Sequence, residues 1–181
     1  MNLKNIIATY YPDGSNTYQL LLIHSEQVAK KSVHCARHFK KEHLDVDFIW
    51  EAAMLHDIGI FMTYAPKIGC FGRFPYICHG YLGKKILEQQ GLKRHARVCE
   101  RHVGVGLTIP DIQHQNIPLP EKDMQPETIE EQIICYADKF YSKSSHIYEE
   151  KSIEMIEREL SAYSDRSVYI FRKWHERFSI L

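Results

Sequence analysis

The sequence predicts an all-α fold. Apolar residues recur at helical offsets of three, four and seven, no stretch alternates with the period of a strand over a useful length, and no internal repeat is present. Clusters of Gly and Pro divide the chain into blocks. Pro12-Asp13-Gly14-Ser15-Asn16 is a turn with a helix cap, followed by a helix from about Thr17 to Lys41. Asp45 or Asp47 caps a second helix that carries the run Phe48 to Leu55 and ends at Gly59. Phe61 to Tyr76, with Pro66, Gly69, Gly72 and Pro75, is poor in helix and long enough to rim a site. Helices resume over about Cys78 to Gln90 and Leu92 to Val103, with Gly91 between them. Gly104 to Met124, holding Pro110, Pro118 and Pro120, is an irregular connection. Pro126-Glu127-Thr128 opens a helix to about Ser144, and the remainder suggests two more.

At 181 residues the chain reads as one domain, 1–181, able to bury a core without staples. Lys plus Arg and Asp plus Glu both number 23, so net charge gives no reason to expect bulk binding to nucleic acid or an anionic membrane. An anionic ligand then needs a local site. The five cysteines, Cys35, Cys70, Cys78, Cys99 and Cys135, form no CxxC pair and read as reduced thiols of a cytoplasmic protein. No apolar stretch of about 18 residues occurs, so neither secretion nor membrane spanning is expected.

His56-Asp57 ends the apolar run Phe48 to Leu55, and Ile58-Gly59 follows it. A histidine and a carboxylate are costly to bury unless something binds them, and a divalent cation does so well. Four more candidate ligands lie on apolar helical stripes: His24 with Leu21, Val28 and Cys35; His79 with Leu82, Gly83 and Ile86; His102 with Val98 and Cys99; Asp138 with Ile134 and Tyr141. Polar groups on the inward faces of separate helices must meet partners inside the bundle. Metal is the simplest partner.

This ordered set, His24, His56-Asp57, His79, His102 and Asp138, resembles the HD-domain metal-dependent phosphohydrolase superfamily, in the subgroup with two extra histidines. His56-Asp57-Ile58-Gly59 matches the HDIG signature of one branch. His102-Val-Gly-Val-Gly-Leu-Thr and Ile134-Cys-Tyr-Ala-Asp138-Lys139 resemble segments of small HD proteins. The resemblance spans roughly residues 17–143, leaving C-terminal helices over about 145–181.

It implies a helical bundle in which His24, His56, Asp57 and Asp138 hold one divalent transition-metal ion while His79 and His102 hold a second, bridged by Asp57. A carboxylate has two oxygens and can span ions about 3.5 to 4 Å apart, which one imidazole nitrogen cannot. Mixed imidazole and carboxylate ligation suits Fe or Mn first, then Co, Ni or Zn, rather than Ca or Mg. The implied function is hydrolysis of a phosphoester or phosphoanhydride in a small phosphorylated metabolite, such as a nucleotide or dinucleoside polyphosphate, by a metal-bridging hydroxide.

Such a substrate wants cations around its outer oxygens. Arg101 and Lys139 flank His102 and Asp138 and are expected to act in catalysis beside Asp57; Lys67 and Arg73 are expected to contact substrate. Many HD enzymes carry a lysine soon after the HD pair. Here Ile60-Phe61 stands there, and Lys84 or Lys85 is the replacement on offer against a reading as surface lysines.

Other features have blander readings. His34 and His38 could chelate an ion on a helix surface but lack a carboxylate, and His95 is expected to pack. Phe171, Trp174 and Phe178 form a stripe that packs across the bundle or against a second subunit of a homodimer rather than stacking bases. Two rival functions use the same ligands: a di-iron oxygenase of the HD type, and a non-catalytic HD protein that binds a nucleotide or partner.

Overall fold

The computed structural model describes residues 3–41, 43–143 and 147–179. Among them the chain forms α1 (Leu3–Ala8), α2 (Asn16–His38), α3 (Val46–Leu55), α4 (His79–Gln89), α5 (Lys93–Arg101), α6 (Ile109–His114), α7 (Ile129–Asp138), α8 (Ile153–Ser161) and α9 (Asp165–Phe178). A minimal antiparallel hairpin, β1 (Tyr64–Ala65) with β2 (Cys70–Phe71), sits between α3 and α4 and pairs Tyr64 with Phe71. The fold is all-α. No helix among the described residues is long and apolar enough to cross a membrane.

Side-chain caps start most of the long helices. Ser15 accepts from the Tyr18 N–H, Asp45 from the Phe48 N–H, Thr128 from the Glu131 N–H, and Ser152 and Ser164 do the same for α8 and α9. Three boundaries differ from the sequence expectation. The connection from Gly104 to Met124 contains α6, nucleated by a capping box in which Thr108 and Asp111 satisfy each other's amides, with Pro110 tolerated in the first turn. The helix opened by Thr128 stops at Asp138, short of the expected end at Ser144, which lies outside the described residues. The short α1 buries only Ile7, too little pattern to be read from sequence.

Two large apolar clusters make most of the core, beside a small one of Ile112, Ile117 and Met124. One joins α2, α3, α7 and α9 through residues such as Val28, Ala52, Ile133 and Phe171; the other joins α1, the Leu55–Ile60 segment, α4 and α5 through Ile7, Leu55, Leu87 and Cys99. Phe171, Trp174 and Phe178 pack across the bundle, while Tyr169 is exposed. The two clusters meet where α3, α5 and α7 end and α4 begins.

Glycine brings these ends together. A Cβ on Gly59 would lie 2.3 Å from the His79 carbonyl oxygen and 2.5 Å from the Gly83 nitrogen, and one on Gly83 would lie 2.4 Å from the Cys99 sulfur. Without side chains at 59 and 83, the backbone following α3 touches α4, and α4 closes on α5.

Candidate metal centre

Five of the six candidate ligands sit at helix ends rather than within helical stripes. His56-Asp57 follows α3 and His102 follows α5, His79 opens α4, and Asp138 closes α7; His24 alone lies in mid-helix, between Leu21 and Val28. The last carbonyls of a helical turn have no amide partner. Two imidazoles use them, His56 Nδ1 donating to the Ala53 carbonyl at 2.6 Å and His102 Nδ1 to the Cys99 carbonyl at 2.8 Å, while His79 Nδ1 donates at 2.6 Å to the Tyr76 carbonyl, which also accepts the His79 backbone N–H.

Those bonds fix the tautomer. A carbonyl only accepts, so each Nδ1 carries the proton and each Nε2 of a neutral ring presents a lone pair. The lone pairs converge. His79 Nε2 lies 2.9 Å from His102 Nε2, and His24 Nε2 lies 3.3 Å from His56 Nε2. Asp57 divides its oxygens between the two pairs: Oδ2 is 3.3 Å from His24 Nε2 and 3.1 Å from His56 Nε2, whereas Oδ1 is 3.2 Å from His79 Nε2 and 3.4 Å from His102 Nε2. Asp138 Oδ1 completes the first group, 3.1 Å from His24 Nε2 and 3.4 Å from His56 Nε2.

All six residues are buried, and neither Asp57 oxygen accepts a well-aligned hydrogen bond among the described residues. His24, His56, Asp57 and Asp138 form one set whose ligand atoms lie within 4.8 Å of one another, and Asp57, His79 and His102 form another. Imidazole nitrogens that face one another across two buried carboxylates are satisfied by a cation. The imidazole and carboxylate donors fit a divalent transition metal, and both sets are able to hold one.

Positive charge gathers on the two carboxylates. Burial alone would raise the Asp57 carboxyl, yet the adjacent His56 and Lys143 hold it well below the usual range; Lys139, His24 and His56 do the same for Asp138. Burial opposes protonation of His56, but Asp57 and Asp138 outweigh it and lift the ring to about 9. Burial pushes His102 down to about 4, which leaves it a neutral ring at physiological pH.

The cations divide differently from the sequence expectation. Lys139 Nζ stands 2.8 Å from Asp138 Oδ2 and also donates to the His102 carbonyl at 3.3 Å. Arg101 turns away from the ligands, pairing with Glu131 at 3.2 Å and Glu127 at 2.9 Å, because one step along a helix rotates a side chain by about 100°. Lys84 pairs with Glu100 at 2.9 Å on the far side of α4, and the Lys85 ammonium lies over the Tyr81 ring. Arg73 is exposed and does not line the cavity that opens on the ligands.

The cation that sequence reasoning missed is Lys143, whose Nζ lies 2.5 Å from Asp57 Oδ2. It follows the end of α7, where helical periodicity no longer says which way a side chain points. A cavity of about 540 Å³ opens on the centre, lined by His79, His102, Asp138, Lys139, Lys143 and, from the opposite wall, Leu160. Lys67 lines a second cavity, which shares Tyr76 and Lys143 with the first. Elsewhere, His38 Nδ1 donates to the His34 carbonyl, and His95 packs on Phe48 beside Glu51.

Comparison with known proteins locates this arrangement. The HD domain model matches residues 21–142. A tRNA (cytidine(56)-2'-O)-methyltransferase of Picrophilus torridus is 33% identical over 130 residues, 71% of this chain and 33% of that protein; its Thermoplasma volcanium namesake is 29% identical over 133 residues, 73% of this chain and 34% of that protein. An uncharacterized protein of Methanocaldococcus jannaschii is 30% identical over 118 residues, 65% of this chain and 62% of that protein. The chain thus spans about a third of the two methyltransferases it matches. In structure it is similar to the HD domain of the L. monocytogenes phosphodiesterase PgpH, with a TM-score of 0.53 at 14% identity over 96% of this chain and 94% of that one. The same domain in complex with cyclic-di-AMP gives 0.51 at 16% identity, over 96% and 93%. With the family model running from within α2 to beyond α7, and every ligand inside that span, this chain belongs to the HD-domain superfamily.

Proposed function

We propose that this protein is a metal-dependent phosphohydrolase with two divalent transition-metal ions, Fe or Mn foremost, acting on a small phosphorylated metabolite such as a nucleotide or dinucleoside polyphosphate. One observation carries the reading: Asp57 presents one oxygen to His24 and His56 and the other to His79 and His102, so a single carboxylate serves both ligand sets. His24, His56, Asp57 and Asp138 would hold one ion, and Asp57, His79 and His102 the other. Bound there, the ions would supply Lewis acidity to a phosphoryl oxygen and to water.

The chain's own residues do the rest. The Ala53, Tyr76 and Cys99 carbonyls hold three imidazoles with Nε2 inward, so little reorganisation is needed on loading. Lys139 and Lys143, on the cavity wall beside the carboxylates, are placed to bind the outer oxygens of a phosphate. The cavity falls within the range of small-molecule sites, roughly 300 to 1,000 Å³. Its apolar members, Ile77, Val105, Leu107 and Leu160, suit the organic part of such an ester. The likeness to a phosphodiesterase domain that binds cyclic-di-AMP makes nucleotides the first compounds to try.

The test is a screen of Mn- and Fe-reconstituted protein against p-nitrophenyl phosphate, nucleoside mono-, di- and triphosphates, dinucleoside polyphosphates and cyclic dinucleotides, with Asp57→Ala as the control. Metal-dependent phosphate release that Asp57→Ala abolishes is expected. Metal-loaded protein inert toward the whole panel would overturn the assignment.

A further inference from the structure

Two buried cysteines touch the backbone of the metal-ligating histidines. Cys99 Sγ lies 2.8 Å from the His56 carbonyl oxygen, and Cys135 Sγ lies 3.3 Å from that of His102. Both carbonyls follow the last residue of a helix, α3 and α5, where the ladder of amides has run out and the surroundings exclude water. A thiol is a weak donor, but it is small and apolar enough to sit in a core where a stronger donor would itself need partners.

Cys99 makes a second contact. Its own carbonyl accepts the Nδ1–H of His102, so one residue is bonded to a histidine of each ligand set, His56 through the thiol and His102 through the backbone. The thiol has room because Gly83 has no side chain: a Cβ there would stand 2.4 Å from Cys99 Sγ. Cys135 extends the chain of contacts from α7, reaching the Gly104 carbonyl at 3.5 Å as well as that of His102. Cys99 and Cys135 are fully buried, which removes redox exchange and surface chemistry as reasons for a thiol at these positions.

We propose that Cys99 and Cys135 are positioning residues of the metal centre, whose S–H groups hold the helix-end carbonyls of His56 and His102 and so fix the distance between the two ligand sets. The inference rests on the metal-binding reading above. Cys99 has the larger effect, because its thiol contact is the shorter, 2.8 Å against 3.3 Å, and the His102 carbonyl that Cys135 meets also accepts from Lys139.

The test compares Cys99→Ala, Cys99→Ser, Cys135→Ala and wild type as full chains stripped of metal. Each is titrated with Co(II), following the visible absorption of the bound ion, and each is melted without metal. Cys99→Ala is expected to lose about 10- to 100-fold in Co(II) affinity, with a changed absorption band, in the range seen when groups behind metal ligands are removed. Cys135→Ala is expected to lose less.

Cys99→Ser is the rescue. A hydroxyl on a slightly shorter bond still reaches the His56 carbonyl, and affinity should return to within about threefold of wild type. If Cys99→Ala melts too low to titrate, the serine variant against wild type and the Cys135→Ala spectrum still decide. Equal affinity and spectrum in wild type and Cys99→Ala would overturn the positioning role, as would a serine variant no better than alanine. A wild type that binds no Co(II) would instead overturn the metal-binding reading, and this inference with it.

Discussion

Gly59→Ala is the substitution that links fold and site most sharply. The added methyl would stand 2.3 Å from the His79 carbonyl oxygen, 2.5 Å from the Gly83 nitrogen and 2.9 Å from the Gly83 Cα. All three are backbone atoms, so no side chain can swing aside and α4 itself must move. Forcing an extra methyl into a packed core costs about 1 to 3 kcal/mol, and rigid neighbours put this case near the upper end. Gly59 has φ −87°, which alanine adopts freely, so the lost flexibility of the unfolded chain returns about 0.4 to 1 kcal/mol. The net is a destabilisation of about 2 kcal/mol, which for a chain of this size lowers Tm by about 4 to 8 °C.

The same displacement carries His79 away from Asp57 Oδ1, now 3.2 Å from its Nε2. Affinity at Asp57, His79 and His102 should therefore fall by more than affinity at His24, His56, Asp57 and Asp138. Calorimetry of the metal-free protein gives the first quantity and a Co(II) titration the second. A Tm within about 1 °C of wild type would refute the close-packing argument, and equal loss at both sets would refute the link to His79.

Asp57→Ala should remove both ions while His79→Ala or His102→Ala removes one, which metal analysis of reconstituted protein checks; simultaneous loss in all three variants, with the fold intact, would mean that the ligands are partitioned wrongly. Lys143→Met should lower phosphate-ester turnover about 10- to 100-fold with metal content retained, as expected for a cation aimed at developing charge; unchanged kcat and KM would leave it a counter-charge for Asp57 only. Arg101→Met should act on stability rather than turnover, lowering it by about 1 to 2 kcal/mol because buried Glu131 keeps only part of its bonding. A melting curve beside steady-state kinetics separates the two, and a turnover defect at wild-type stability would return Arg101 to the site.

The helices and the ligand set were legible because both are written in local pattern. Caps such as Asp45 and Thr128 mark starts, and a polar residue amid apolar neighbours at helical spacing signals an inward group. Even so, the placement of His56 and His102 rests on helix ends and not on stripes, and it is the carbonyl three residues back that aims each ring. Side chains outside regular helix were not legible. Lys143 reaches Asp57 from beyond the end of α7; within α5, adjacency misled instead, since Arg101 turns to Glu131 although it adjoins His102, because neighbours on a helix diverge. The thiol contacts of Cys99 and Cys135 depend on how α3, α5 and α7 pack, which no single helix encodes.

Anomalous scattering from crystals of the Mn- or Fe-loaded protein tests the central claim most directly. Two peaks are expected, about 3.5 to 4 Å apart, one on each side of the Asp57 carboxylate, the first against His24, His56 and Asp138 and the second against His79 and His102. A single peak held by one set, or metal found only away from Asp57, would contradict it.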